Sequence, residues 1–167
     1  MPAAERIWTI VVGGGSGRRF GTPKQYEMIG AERVIDRSVA VAHSVSDGVV
    51  VVVPPQDAVR EGAVAGGATR SDSVRAGLAA VPADATIVCV HDAARPLASP
   101  ELYRRAIAAV HDGAEAAIPG ISVTDTIKVV ADGGVASTPD RSARVAVQTP
   151  RVFRAGVLRA AHEAGGD

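Results

Sequence analysis

The chain predicts an α/β fold: a doubly wound, mostly parallel sheet with helices on both faces, its ligands lying at the carboxyl ends of the strands. Two observations carry this. Nearly continuous apolar runs at residues 7–12, 49–53 and 86–90 read as strands buried on both faces. Helical patterns alternate with them through most of the chain. In order, residues 7–12 form a strand that runs straight into glycines. Residues 34–45 place Val34, Ile35, Val39, Val41, Ala42 and Val45 around one broad helical face, with Asp36, Arg37 and His43 elsewhere. Pro54-Pro55 closes the second strand, and residues 56–65 hold one helical turn and a minimal edge strand. Ser71 or Asp72 caps a helix running to about Val81, before Pro82. After the third strand, Ser99 caps a helix with Pro100 in its first turn, ending near His111. Residues 114–118 read as a fourth strand. Residues 126–130 and 135–136 flank Asp132-Gly133-Gly134 as a hairpin, and residues 154–164 form a last helix. The stretch 122–147 is richer in Thr, Asp and Gly and reads as an arm attached to the core sheet.

At 167 residues the chain is expected to be a single domain, 1–167, large enough to bury a core without staples. Hydrophobic residues are 47% and charged residues 22%, an ordinary globular balance. Lys+Arg and Asp+Glu are 18 each, so there is no basic excess for nucleic acid or an anionic membrane surface. The single cysteine, Cys89, cannot form an internal disulfide, which fits a reducing cytoplasm. No apolar run approaches the roughly 18 residues of a membrane span, and the N-terminal stretch is too short and glycine-interrupted for a signal peptide. The only lysines are Lys24 and Lys128. A point-charge ammonium and a planar guanidinium are not interchangeable at a phosphate, so each surviving lysine is a candidate for a specific role.

Four segments could carry chemistry. Gly13-Gly14-Gly15-Ser16-Gly17-Arg18-Arg19 follows the first strand directly, and its backbone N–H groups can converge on an anion. It lacks the Gly-Lys-Ser/Thr of a Walker loop and fails dinucleotide spacing, because the last glycine slot falls on Arg18 or Phe20. Arg18, Arg19 and, after Pro23, Lys24 supply charge suited to a triphosphate; a tight turn with solvated arginines is the equal alternative. His91-Asp92-Ala93-Ala94-Arg95-Pro96 ends the third strand. There Asp92 can accept from a sugar hydroxyl or sit near a metal ion, and Arg95 can fork onto a phosphate. An Asp–Arg pair closing a turn is the plain alternative, and His91 reads as a packed strand residue outside the site. Gly66-Gly67 with Arg70 and Ser73 can approach a flat base or be a simple capping loop. Thr124-Asp125-Thr126-Ile127-Lys128, with Asp140-Arg141 and Gln148-Thr149-Pro150, could recognise a phosphorylated polyol or be ordinary hairpin chemistry.

Taken in this order, with Pro23-Lys24-Gln25-Tyr26 beside the glycine loop, these segments resemble the 2-C-methyl-D-erythritol 4-phosphate cytidylyltransferase family along nearly the whole chain. The resemblance implies a Rossmann-like nucleotidyltransferase sheet with a protruding β-arm. It implies transfer of CMP from CTP to a sugar-alcohol phosphate in isoprenoid precursor synthesis, with pyrophosphate released. By the same resemblance Gly13, Gly14, Gly15, Ser16 and Gly17 hold cytosine and the triphosphate, and Arg19 and Lys24 stabilise the transition state. Gly67, Arg70, Ser73, Asp92 and Ala93 surround the nucleotide. Asp92, Arg95, Thr126, Arg141 and Thr149 meet the second substrate, with Thr126, Arg141 and Thr149 offered across a homodimer interface made by the arm. Mg²⁺ is implied, bound mainly through the CTP phosphates, with no protein residue assigned as its ligand.

The family continues beyond this chain with a Thr-Asp-Asp segment and an Asn…Lys-Ile-Thr segment, so a fragment is expected. Its helix and edge strand after Val53 are shortened here, and its usual Gln after Thr149-Pro150 is Arg151. Two other readings stay open: a pentitol-phosphate (ribitol 5-phosphate) cytidylyltransferase, and a non-catalytic nucleotide-binding or dimerisation module. The pentitol enzymes more often carry a bulkier residue where Ala94 stands and lack so clear a 125–128 run. The failed glycine spacing disfavours a nicotinamide dehydrogenase.

Overall fold

The computed structural model describes residues 5–14 and 23–165. In chain order the strands are β1 (Ile7–Val12), β2 (Met28–Ile29), β3 (Glu32–Arg33), β4 (Gly48–Val53), β5 (Val64–Ala65), β6 (Ile87–Asp92), β7 (Ala116–Ala117), β8 (Gly120–Ser122), β9 (Val129–Ala131), β10 (Gly134–Ser137), β11 (Val145–Val147) and β12 (Arg151–Arg154). The helices are α1 (Val34–His43), α2 (Ala58–Glu61), α3 (Arg70–Ala80), α4 (Pro100–His111) and α5 (Ala155–Glu163). A six-stranded sheet runs β5-β4-β1-β6-β12-β7. β5, β4, β1 and β6 are parallel, while β12 lies antiparallel to both β6 and β7. The expected mostly parallel, Rossmann-like α/β sheet is present.

Strand periodicity explains the three layers. Alternate residues of the central strands face opposite ways, and here both faces are buried. Ile10, Val12, Val50, Val52, Val88 and Val90 share one cluster with Val74 and Leu78 of α3 and Leu158 of α5. On the other face Val11 and Val53 pack with Ile35 and Ala42 of α1. Ile87, Cys89 and Val152 pack there with Tyr103, Ala106 and Val110 of α4. Gly77 lets α3 lie down closely: a Cβ there would stand 2.6 Å from Ile10 Cγ2 and 2.9 Å from Val52 Cγ2. From β1 the chain builds outward through β4 to β5, then returns under α3 to place β6 on the other side of β1. The strand order reverses between β1 and β6, which opens a crevice beyond their carboxyl ends.

Several boundaries differ from the sequence expectation. The N-cap of α3 is Thr69, not Ser71 or Asp72: its side chain accepts from the Asp72 N–H while the Asp72 carboxylate accepts from the Thr69 N–H. The third strand reaches Asp92, two residues beyond the expected Val90. The fourth strand keeps only Ala116–Ala117. Arg151–Arg154 is a strand that the pattern did not announce. Two arginines bracket its two apolar residues, and pairing to β6 in the register Arg151↔Val90 to Arg154↔Ile87 makes it one. The arm is two ladders, β8 with β11 and β9 with β10, so it begins at Gly120. Its tip turns at Asp132-Gly133, where both residues have positive φ, 51° and 78°. No helix among the described residues is long and apolar enough to cross a membrane.

Candidate active site

The crevice is built by three chain segments leaving the sheet side by side. After β1, Gly13 N–H donates to the Val52 carbonyl at 2.7 Å, and after β4 and β5, Gly66 N–H donates to the Val53 carbonyl at 2.8 Å. After β6, Ala93 N–H donates to the Val12 carbonyl at 2.9 Å. Ser73, only 2% exposed, knits two of them together. Its hydroxyl accepts from Gly67 N–H at 3.2 Å and donates to the Thr69 carbonyl at 3.0 Å. A Cβ at Gly14 would stand 3.1 Å from that oxygen and one at Gly66 2.8 Å, so the two glycine turns can converge on Ser73 only without side chains. Ser73 therefore shapes the wall of the crevice from behind.

Asp92, the last residue of β6, is the charged centre. Arg70, on the first turn of α3, donates to its Oδ1 through Nε at 3.0 Å and Nη2 at 2.8 Å. Arg95 Nε lies 3.8 Å from its Oδ2, and Arg95 Nη1 donates to Gln148 Oε1 at 2.6 Å. All three side chains are partly open to solvent, so the pairs are exchangeable rather than a buried lock. Ser38 of α1 donates to the Ala93 carbonyl at 2.8 Å and fixes the loop after Asp92.

His91, set aside on sequence, is the buried post behind Asp92. It is 1% exposed, and its ring centroid is 5.5 Å from that of Tyr103. Burial pushes its pKa down to about 4 against the opposing charge of Asp92, so the ring is neutral and can accept a hydrogen bond. The Asp92 N–H donates to Thr149 Oγ1 at 3.1 Å. The Thr149 hydroxyl proton in turn faces His91 Nδ1 at 3.0 Å and the Val90 carbonyl at 3.4 Å. The available signal was phase: His91 falls on the same face of β6 as Ile87 and Cys89, and a polar group there must be hydrogen-bonded.

Thr149 is 3% exposed and its hydroxyl oxygen accepts from the Asp92 N–H of its own chain, which places it behind Asp92. Arg141 and Thr126 do lie in the arm. Arg141 Nη1 donates to the Thr124 carbonyl, and Thr126 is exposed. No hydrogen bond among the described residues joins either to Asp92 or Arg95. Lys24 opens a short 3₁₀ turn, Lys24–Tyr26, at the exposed end of the segment that follows the glycine loop. Gly15, Ser16, Gly17 and Arg19 lie outside the described residues.

The comparisons with known proteins agree with this fold. The sequence matches the family described as "IspD: 2-C-methyl-D-erythritol 4-phosphate cytidylyltransferase" over residues 7–167. It is 42% identical over 182 residues to a bifunctional enzyme IspD/IspF of Nitratidesulfovibrio vulgaris, covering 95% of this chain and 46% of that protein. It is 44% identical over 173 residues to the 2-C-methyl-D-erythritol 4-phosphate cytidylyltransferase of Frankia casuarinae, covering 96% of this chain and 65% of that protein. The chain thus spans about half the length of the bifunctional relatives. Among solved structures, the 4-diphosphocytidyl-2C-methyl-D-erythritol synthase of Anaerococcus prevotii superposes with a TM-score of 0.83 at 27% identity, over 96% of this chain and 75% of that one. The chain belongs to the 2-C-methyl-D-erythritol 4-phosphate cytidylyltransferase family.

Proposed function

We propose that the protein transfers CMP from CTP to 2-C-methyl-D-erythritol 4-phosphate, releasing pyrophosphate, as a step of isoprenoid precursor synthesis. The observation that supports this most is the convergence of the two glycine turns on Ser73 beside an Asp92 held between Arg70 and Arg95. That is a slot for a flat base next to groups that can trade partners with a ribose and a phosphate.

The substrate's phosphate oxygen attacks the α-phosphorus in line. A phosphate monoester has a second pKa near about 6, so the nucleophile is already ionised at neutral pH and no general base is required. The protein's task is positioning and charge stabilisation. Gly13 to Gly17 and Gly67 surround the base and triphosphate, Lys24 and Arg19 meet charge building at the α-phosphate, and Asp92 and Arg95 orient the sugar alcohol and its phosphate. Arg70, released from Asp92, can follow the nucleotide. Thr149 acts in its own chain by holding the Asp92 amide.

Among the described residues no group of three or more His, Cys, Asp or Glu could cage a metal. A lone carboxylate beside a phosphate site fits Mg²⁺ arriving on the triphosphate, and Asp92 is the side chain that would help hold it. When bound, the ion neutralises charge on the phosphates.

The arm supports a homodimer. Val130 is 65% exposed and Val135 63%, and a two-stranded ladder is marginal alone in water. A second copy covering this face would bring Arg141 and Thr126 to the neighbouring crevice. The free, buried Cys89 fits a cytoplasmic setting.

The test is pyrophosphate release by the full-length protein with CTP and methylerythritol phosphate, with ribitol 5-phosphate and ATP as alternatives. Turnover is expected with the first pair and at most traces with the others. CTP binding by calorimetry without turnover would reduce the protein to a binding module. Lys24→Ala should lower kcat by about 10²–10³, roughly 2.7–4 kcal/mol, the usual cost of one preorganised donor. Lys24→Arg should not restore it, because a planar fork cannot replace a point charge.

A further inference from the structure

The Lys24–Tyr26 turn is tied to the body of the protein by a network that the reaction scheme does not use. Inside the turn, Tyr26 N–H donates to the Pro23 carbonyl at 3.0 Å and Glu27 N–H donates to the Lys24 carbonyl at 3.2 Å. The Tyr26 side chain leaves the turn and packs against the cluster of Val11, Ile35, Val53 and Ala93. Its hydroxyl donates to Asp57 Oδ2 at 3.0 Å. Two guanidinium groups lie over the ring, Arg60 at 5.1 Å and Arg33 at 5.9 Å from its centroid. The same arginines close a chain of ion pairs: Asp57 Oδ1 to Arg60 Nη2 at 2.9 Å, Arg60 Nε to Glu61 Oε1 at 2.9 Å, and Glu61 Oε2 to Arg33 Nη1 at 2.9 Å. Arg33 also forks onto Asp36 at 2.8 Å through both contacts. The Asp57 and Glu61 side chains are only 13% and 9% exposed. Burial and Asp57 together push the Tyr26 phenol up to about 12, so it stays a donor throughout the physiological range.

An aromatic ring anchored at its edge, its face and its polar tip fastens firmly a turn whose middle residue, Gln25, is itself buried. We infer that Tyr26 is a positioning residue for nucleotidyl transfer: its bond to Asp57 sets where the turn presents Lys24. This rests on the reading of Lys24 as the group that meets the α-phosphate. The logic is geometric, since a misplacement of about 1 Å in a reacting constellation can cost about 10²-fold.

The experiment uses full-length protein, CTP and methylerythritol phosphate, following pyrophosphate release. Tyr26→Phe keeps the ring and its arginines and removes only the hydroxyl. It should lower kcat by about tenfold, leave KM for CTP within about twofold, and barely move the thermal midpoint. Asp57→Asn, which keeps an acceptor, should lose less than Asp57→Ala. In the Lys24→Ala background, Tyr26→Phe should cost nothing further. A wild-type kcat in Tyr26→Phe beside a crippled Lys24→Ala would overturn the positioning role and leave Lys24 in place. Independent, additive losses would also overturn it, by showing that Tyr26 acts elsewhere. A normal kcat in Lys24→Ala would instead remove the catalytic reading on which the inference stands.

Discussion

The carboxyl edge of the sheet and the arm are built from similar residues to opposite ends. β6 is buried along its length up to Asp92, and each apolar side chain has a helix above or below it. In the arm, every residue of β8, β9, β10 and β11 is exposed, although Val and Ile are as frequent there. The difference lies in layers: the sheet has helices on both faces, and the arm has none. Hydrophobic stabilisation scales with area removed from water. The edge can therefore hold polar groups in fixed geometry from its own chain, while the arm's apolar face remains to be covered by something else.

The largest effect should come from breaking the edge at its buried post. The pKa of His91 is depressed to about 4 in the folded protein, from 6.5 for a free histidine. A base with a lowered folded pKa binds its proton better when unfolded. Stability is therefore full above the unfolded value and falls as pH drops from about 6.5 toward about 4, by up to about 3 kcal/mol. Chemical denaturation across that range should show this slope in the wild type and a shallower one in His91→Asn. Parallel slopes would mean that His91 is not buried neutral.

A smaller loss should follow from uncapping α3. Thr69→Ala removes the acceptor for Asp72 N–H and should cost about 1 kcal/mol in a denaturant midpoint. It should also raise KM for CTP, because losing the cap loosens the first turn of α3 and with it the Thr69 carbonyl that anchors Ser73 and, through it, the Gly67 turn. An unchanged KM would separate the cap from the crevice.

The arm should respond least in folding and most in assembly. Val130 and Val135 are opposite one another in the β9–β10 ladder. Changing both to Ser should move the core's stability by no more than about 0.5 kcal/mol. In sedimentation the same variant should shift dimer toward monomer. A monomeric wild type, or a core that melts together with the altered arm, would erase the distinction between the two regions.

Much of this was legible residue by residue. The continuous apolar runs announced strands with two buried faces, and the Ser99-Pro100 start placed α4 at Pro100–His111. The 56–65 stretch held the short helix and edge strand expected of it. Asp92 and Arg95 were read as candidates from their place after a strand and Arg70 through the family resemblance; the fold brings the three side chains into contact. These features depend on periodicity, caps and turn chemistry, which act over a few residues. What only the tertiary structure decided depends on partners far away in the chain. Arg151–Arg154 became a strand because β6 offered it an edge. Thr149 and His91, 58 residues apart, were joined behind Asp92. Tyr26, in sequence the last residue of the Pro23-Lys24-Gln25-Tyr26 segment, found Asp57 across 31 residues. Local rules determine which elements form; a long-range contact exists only once the layers have closed, so no pattern within a short window could announce it.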